Sequence, residues 1–158
     1  MSWISSHESK HVIIQELPII GNNFEQFYDS IWSISQLPAT TLELCRLRLA
    51  QLHNSEVDWQ QQHQPIDQQK RDALAHWDSS TVFTPAEKAC IEFTELYAMD
   101  VAAISDQQAD AVKQHHDDAG LVALIEALGV FNGMTRLSLL WQVSDTDPLN
   151  SGSETHGE

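Results

Sequence analysis

The sequence predicts an all-α fold, a bundle of six to seven helices in one domain, on three observations. Apolar residues recur at offsets of three and four along most of the chain, with almost no period-2 alternation long enough for a strand. Helix start signals repeat, most clearly at Thr84-Pro85-Ala86-Glu87, where N-cap threonine, N1 proline and N3 glutamate make a capping box. A length of 158 residues with 42% hydrophobic content suffices for one core and is too short for two ordinary ones.

The elements follow in order. Residues 1–21 read as an extended or irregular N-terminal arm, its apolar group from Val12 to Ile20 interrupted by Pro18 and Gly21. Asn22 or Asn23 can cap a helix whose wide apolar face holds Phe24, Phe27, Tyr28, Ile31, Trp32 and Ile34. After Pro38 a second helix runs from about Thr40 to His53, and Asn54 or Ser55 marks a break and a new cap. Ser55 to His63 then forms a short helix ended by Pro65. Asp67 caps a helix reaching Trp77, and Ser105 caps a polar helix ending at His115-His116, where histidine suits the C-terminal dipole.

The segment from Asp118 to about Val143 is apolar on nearly every side, which predicts a central helix or a face shared with another subunit. From residue 144 onward the composition turns to Asp, Thr, Gly, Ser and Glu and predicts a disordered acidic tail, leaving residues 22–143 as the helical domain.

Composition excludes several classes of function. A net charge of −15 with only eight Lys and Arg argues against nucleic acid and against anionic membrane surfaces. It also requires any subunit contact to be apolar enough to outweigh like-charge repulsion. No apolar run is expected to span a bilayer, and the first residues lack the basic and apolar regions of a signal peptide, so the expected location is cytoplasmic, in a protein of bacterial type. The only two cysteines, Cys45 and Cys90, belong to no C-x-x-C motif and fall on apolar helical stripes, so buried free thiols are expected, with no metal and no cofactor.

One constellation carries chemistry. On a helix Ser55, Asp58 and Gln62 share a face, with Trp59 at its border and His63 rotated from Gln62 by about 100°. A turn after Leu52 would bring Glu43 of the preceding helix over that face. Glu43 and Asp58 could then converge on a pocket walled by Trp59 and divide general-acid and general-base roles, since burial and like charge separate two carboxylate pKa values. The macrodipole alone also explains acidic residues near helix starts, and a tryptophan there can simply be core.

The stretch from Glu43 to Gln62 also has the spacing of E-x11-C-x2-C-x3-H, with Ser55, Asp58 and Gln62 in the two cysteine positions and the histidine position. In this it resembles the alkylhydroperoxidase-D-like (AhpD-like) branch of the carboxymuconolactone decarboxylase superfamily. Asp58-Trp59 is similar to the Glu-Trp pair of members without the cysteines. The run from Ala73 to Ala89 resembles the spacer before the next long helix, and Phe131-Asn132-Gly133-Met134-Thr135-Arg136 the closing motif.

The resemblance, covering roughly residues 37–143, implies a homo-oligomer (dimer, trimer or hexamer) that binds a small organic molecule. Glu43 and Asp58 would be the catalytic pair of a lyase or isomerase, and Ser55, Trp59, Gln62 and His63 would bind substrate. Asn132 and Arg136 would make structural or subunit contacts. Peroxide reduction, the redox members' activity, is not expected without the thiol pair. The alternative is a pseudoenzyme, an oligomeric binding or scaffold protein that keeps the fold without the chemistry.

Overall fold

The computed structural model describes residues 9–144, so the tail expected beyond residue 144 lies outside the described residues. The helices are α1 (Lys10–Ile14), α2 (Pro18–Ile31), α3 (Ala39–Leu52), α4 (Glu56–Gln60), α5 (Gln68–Ala73), α6 (Pro85–Met99) and α7 (Asp106–Leu140). Short 3-10 turns follow α5 and α6, at Leu74–His76 and Val101–Ala103, and no strand occurs among the described residues. The all-α, single-domain expectation holds.

Three helices make the centre: α3, α6 and α7 pack on one another, and α3 is buried on two sides. One side of α3 sends Leu42, Cys45 and Leu49 into a cluster with Tyr28 and Ile31 of α2, Cys90 and Phe93 of α6, and Leu124, Leu128 and Phe131 of α7. Its other side sends Leu44 and Leu47 to Leu74, Phe83 and Ile91. A helix enclosed this way has no outward stripe, so its polar residues Glu43 and Arg46 are buried with the rest. Buried charges persist only when paired, and these two pair with each other.

The structure corrects the sequence at several places. Residues 1–8 of the expected N-terminal arm lie outside the described residues, and the rest of it is largely helical: Pro18 starts α2 instead of breaking a strand-like run, because its fixed φ and missing N–H suit the first helical turn. Asn22 and Asn23 therefore lie inside α2 and cap nothing. The expected boundary at His115-His116 is a bend at Asp117 (φ 57°, ψ −171°) within α7, where Asp117 Oδ1 accepts the Gly120 N–H at 3.0 Å and so caps the second arm.

That second arm is not buried all round. Leu124, Leu128 and Phe131 face the core, whereas Val122, Ile125, Leu139 and Leu140 are exposed. Contrary to expectation, α7 is long and apolar enough by composition to cross a bilayer; here its buried side is committed to α3 and α6. The Thr84 capping box is present, with Thr84 Oγ1 accepting the Glu87 N–H at 3.1 Å and Glu87 Oε2 accepting the Thr84 N–H at 2.9 Å. Asp67 caps α5 as expected, accepting the Gln69 N–H at 2.7 Å.

Candidate functional site

The site forms where α3, the α4 segment, α1 and α2 meet, and Arg46 organises it. Its Nε and Nη2 donate to Glu43 Oε2 and Oε1, both at 2.8 Å, a two-pronged contact one helical turn apart. Nη1 donates to the Asp58 carbonyl at 2.9 Å, and Nη2 also donates to the Gln61 carbonyl at 2.7 Å. Burial by itself lowers the Arg46 pKa, but the Glu43 hydrogen bonds and charge, with smaller contributions from Tyr28 and Asp58, hold it above its ordinary value. The guanidinium is therefore a permanent cation.

These contacts explain why α4 is shorter than the sequence predicts. Arg46 takes the Asp58 carbonyl oxygen that a continuing helix would give to the Gln62 N–H, and it also holds the carbonyl of Gln61, where the backbone turns extended (φ −70°, ψ 138°). Side chains alternate along extended backbone, so Gln61 is buried, Gln62 is exposed and His63 turns inward. Gln62 thus does not share the face of Ser55 and Asp58, a correction to the expected i+7 placement.

His63 enters instead. Its backbone N–H donates to Glu43 Oε1 at 2.9 Å, its Nδ1 lies 2.8 Å from the Tyr28 hydroxyl, and its Nε2 lies 3.2 Å from Gln61 Oε1. The ring sits against Tyr28 and Trp32, with centroids 5.8 and 5.7 Å away. Burial first, then the charges of Arg46 and Lys10, pushes its pKa down to about 2, so the imidazole is neutral at working pH.

Asp58 is buried, and each of its carboxylate oxygens has a donor. Lys10 Nζ approaches Oδ1 at 2.5 Å, and Ser55 Oγ donates to Oδ2 at 2.5 Å. Glu43 and Asp58 are therefore brought into one network through Arg46, each already engaged by an internal cation. Trp59 does not roof them. It packs toward Leu44, Leu47 and Leu74, with the Arg71 guanidinium 4.3 Å from its ring centroid and hydrogen-bonded to its carbonyl. On that side Ser55 and Trp59 line a separate open recess of about 500 Å³ with Arg48, Gln51 and Asn54.

Two buried donors beside His63 have no hydrogen-bond partner among the described residues: Trp32 Nε1 and Gln61 Nε2. Leaving such groups unpaired costs about 1–3 kcal/mol each. Elsewhere, Asn132 Oδ1 meets His53 Nε2 at 2.6 Å and ties the end of α3 to α7, while Arg136 is exposed. Both cysteines are buried, and burial raises their pKa values, Cys45 to about 12. Neither is a ready thiolate. Among the described residues no three His, Cys, Asp or Glu side chains are placed to hold a metal ion.

Sequence reasoning missed Lys10, Tyr28 and Arg46. Arg46 was findable, as a charge three residues after Glu43 on an otherwise apolar helix needs a buried partner. Tyr28, a hydroxyl on an apolar face, raised the same question. Nothing in the sequence pointed from Lys10 to a residue so far along the chain.

The all-α fold is shared with a solved structure. A crystal structure of a protein of unknown function from Agrobacterium tumefaciens, described provisionally as the antioxidant defence protein AhpD, superimposes with a TM-score of 0.71. The match covers 91% of this chain and 97% of that one at 15% identity, a likeness of fold. No family model matches the chain, and no curated protein matches it.

Proposed function

We propose that this chain is a non-redox AhpD-like protein, nearer the decarboxylase-like branch than the peroxidases, that binds a small organic molecule beside His63. The observation that carries this reading is the pair of unpartnered buried donors, Trp32 Nε1 and Gln61 Nε2, flanking a neutral imidazole. Such donors suit a ligand that presents oxygen acceptors, as a lactone or an aromatic acid does. If the molecule turns over, His63 and Tyr28 are placed to pass a proton, and Glu43 or Asp58 would serve as acid or base.

A thermal-shift screen of lactones and aromatic acids tests this, because a ligand of the native state raises its apparent stability. The expected hit binds about tenfold more weakly to Trp32→Phe, which keeps the ring and loses the donor. A hit indifferent to that change, or no hit at all, would favour the second reading. Glu43→Gln is expected to remove any turnover found.

The second reading is a pseudoenzyme scaffold. It is favoured by the full internal satisfaction of both carboxylates, by Arg46 and the His63 N–H for Glu43, and by Lys10 and Ser55 for Asp58.

Either reading includes a homo-oligomer. Exposed Phe27 and Val122 line an apolar groove of about 510 Å³ between α2 and α7, with exposed Ile125 on the same helix, and contact between strongly acidic copies needs such a surface. Light scattering at micromolar concentration is expected to give a multiple of the chain mass, and a monomer would remove this part of the proposal.

A further inference from the structure

We propose that Asp58 and Ser55 form a receptor site for a primary alkylammonium group, filled here by the chain's own Lys10, so that α1 is a removable plug. The geometry is that of ligand recognition. A compact ammonium at the end of a flexible stem lies 2.5 Å from a carboxylate oxygen, and the other oxygen of that carboxylate is held at 2.5 Å by a serine hydroxyl. Lys10, Asp58 and Ser55 are 2%, 3% and 2% exposed, so the contact is as dry as the core.

The element that delivers the ammonium is weakly built. At five residues α1 is far below the length at which a helix is stable by itself. Beyond the ammonium it is held by Ile13 in the core, by half-buried Ile14 against the main cluster, by the Ser9 cap at 3.3 Å from the Val12 N–H, and by His11 Nδ1 at 2.5 Å from Glu25 on α2. The His11 side chain is 40% exposed, and Val12 is 45% exposed. Short elements with few buried anchors open at free energies well below global unfolding.

Undocking has a partial return, because water rehydrates both the ammonium and the carboxylate. What remains is a site with two carboxylates, Glu43 and Asp58, against one cation, Arg46, beside the neutral His63. Its surplus is negative, and an ammonium restores neutrality. An amine-bearing ligand is therefore the competitor of Lys10.

The proposal stands apart from ligand binding at Trp32 and Gln61 and is tested on different atoms. In full-length Lys10→Ala the deleted atoms, from Cγ to Nζ, are those of n-propylammonium, which serves as the probe. Saturable thermal stabilisation of about 3 °C or more over sodium chloride at equal ionic strength is expected. Propanol is expected to give none, and Lys10→Ala/Asp58→Asn none with the amine. The wild-type chain should respond at least about tenfold more weakly, because tethered Lys10 competes at high effective concentration.

No amine-specific shift, or an equal shift in the double variant, overturns the site. Should Lys10→Ala not fold alone, n-propylammonium is expected to restore its helical circular dichroism on refolding, and failure to do so counts equally against the proposal. The plug has its own readout in the wild-type chain: amides of α1 are expected to exchange at least about 100-fold faster than those of α3. Exchange of α1 only through global unfolding overturns it.

Discussion

Arg46→Met is expected to destabilise the fold by about 3–5 kcal/mol, the cost of removing one partner of a buried ion pair. The substitution keeps most of the stem volume and deletes the charge. It leaves the Glu43 carboxylate fully buried with only the His63 N–H as donor, and it strips the Asp58 and Gln61 carbonyls of theirs. Glu43→Gln/Arg46→Met is expected to recover at least about 1 kcal/mol of the loss, since partners in one network couple strongly. Urea unfolding midpoints measure both. A single variant within 1 kcal/mol of the parent would mean that water reaches Glu43 and that the site is not closed.

The second large effect is on pH. With a folded pKa near 2 against 6.5 for an unperturbed histidine, His63 stays neutral in the fold while the unfolded chain takes up a proton. Its contribution to stability is therefore complete above about pH 6.5 and is lost progressively as pH falls from there toward 2. The slope approaches about 1.4 kcal/mol per pH unit. Many carboxylates titrate in the same range, so the quantity to measure is the difference between wild type and His63→Gln. Between pH 6.5 and 4.5 the wild type should lose about 2 kcal/mol more than the variant. Parallel stability curves would show that the imidazole can be protonated in place.

Much of the fold was legible because its signals are local. The Thr84 box, the Asp67 cap and the apolar periodicities of α2, α3 and α6 are each written within a few residues. The break between the arms of α7 was visible as a change from polar to apolar composition, although one bent helix resulted. Which helix lies deepest was not legible. The segment after Asp118 carries more apolar residues, yet α3 sits between two clusters and holds the centre.

The candidate site was read half correctly, for a comparable reason. The juxtaposition of α3 with the α4 segment followed from the turn at Asn54, and Glu43, Ser55 and Asp58 do enter one network. The register beyond Gln60 depends on a guanidinium from another helix taking two backbone carbonyls. No local propensity announces that, so Gln62 was expected on the face of Ser55 and Asp58, with His63 rotated away from it.

The Arg46 contacts to the α4 segment end on main-chain oxygens and do not depend on which side chains stand at positions 58 and 61. A path secured through the backbone tolerates turnover of the residues it carries. Gln61 can thus be exchanged by natural selection at nearly constant geometry, whereas a change at Asp58 must also leave buried Lys10 a partner.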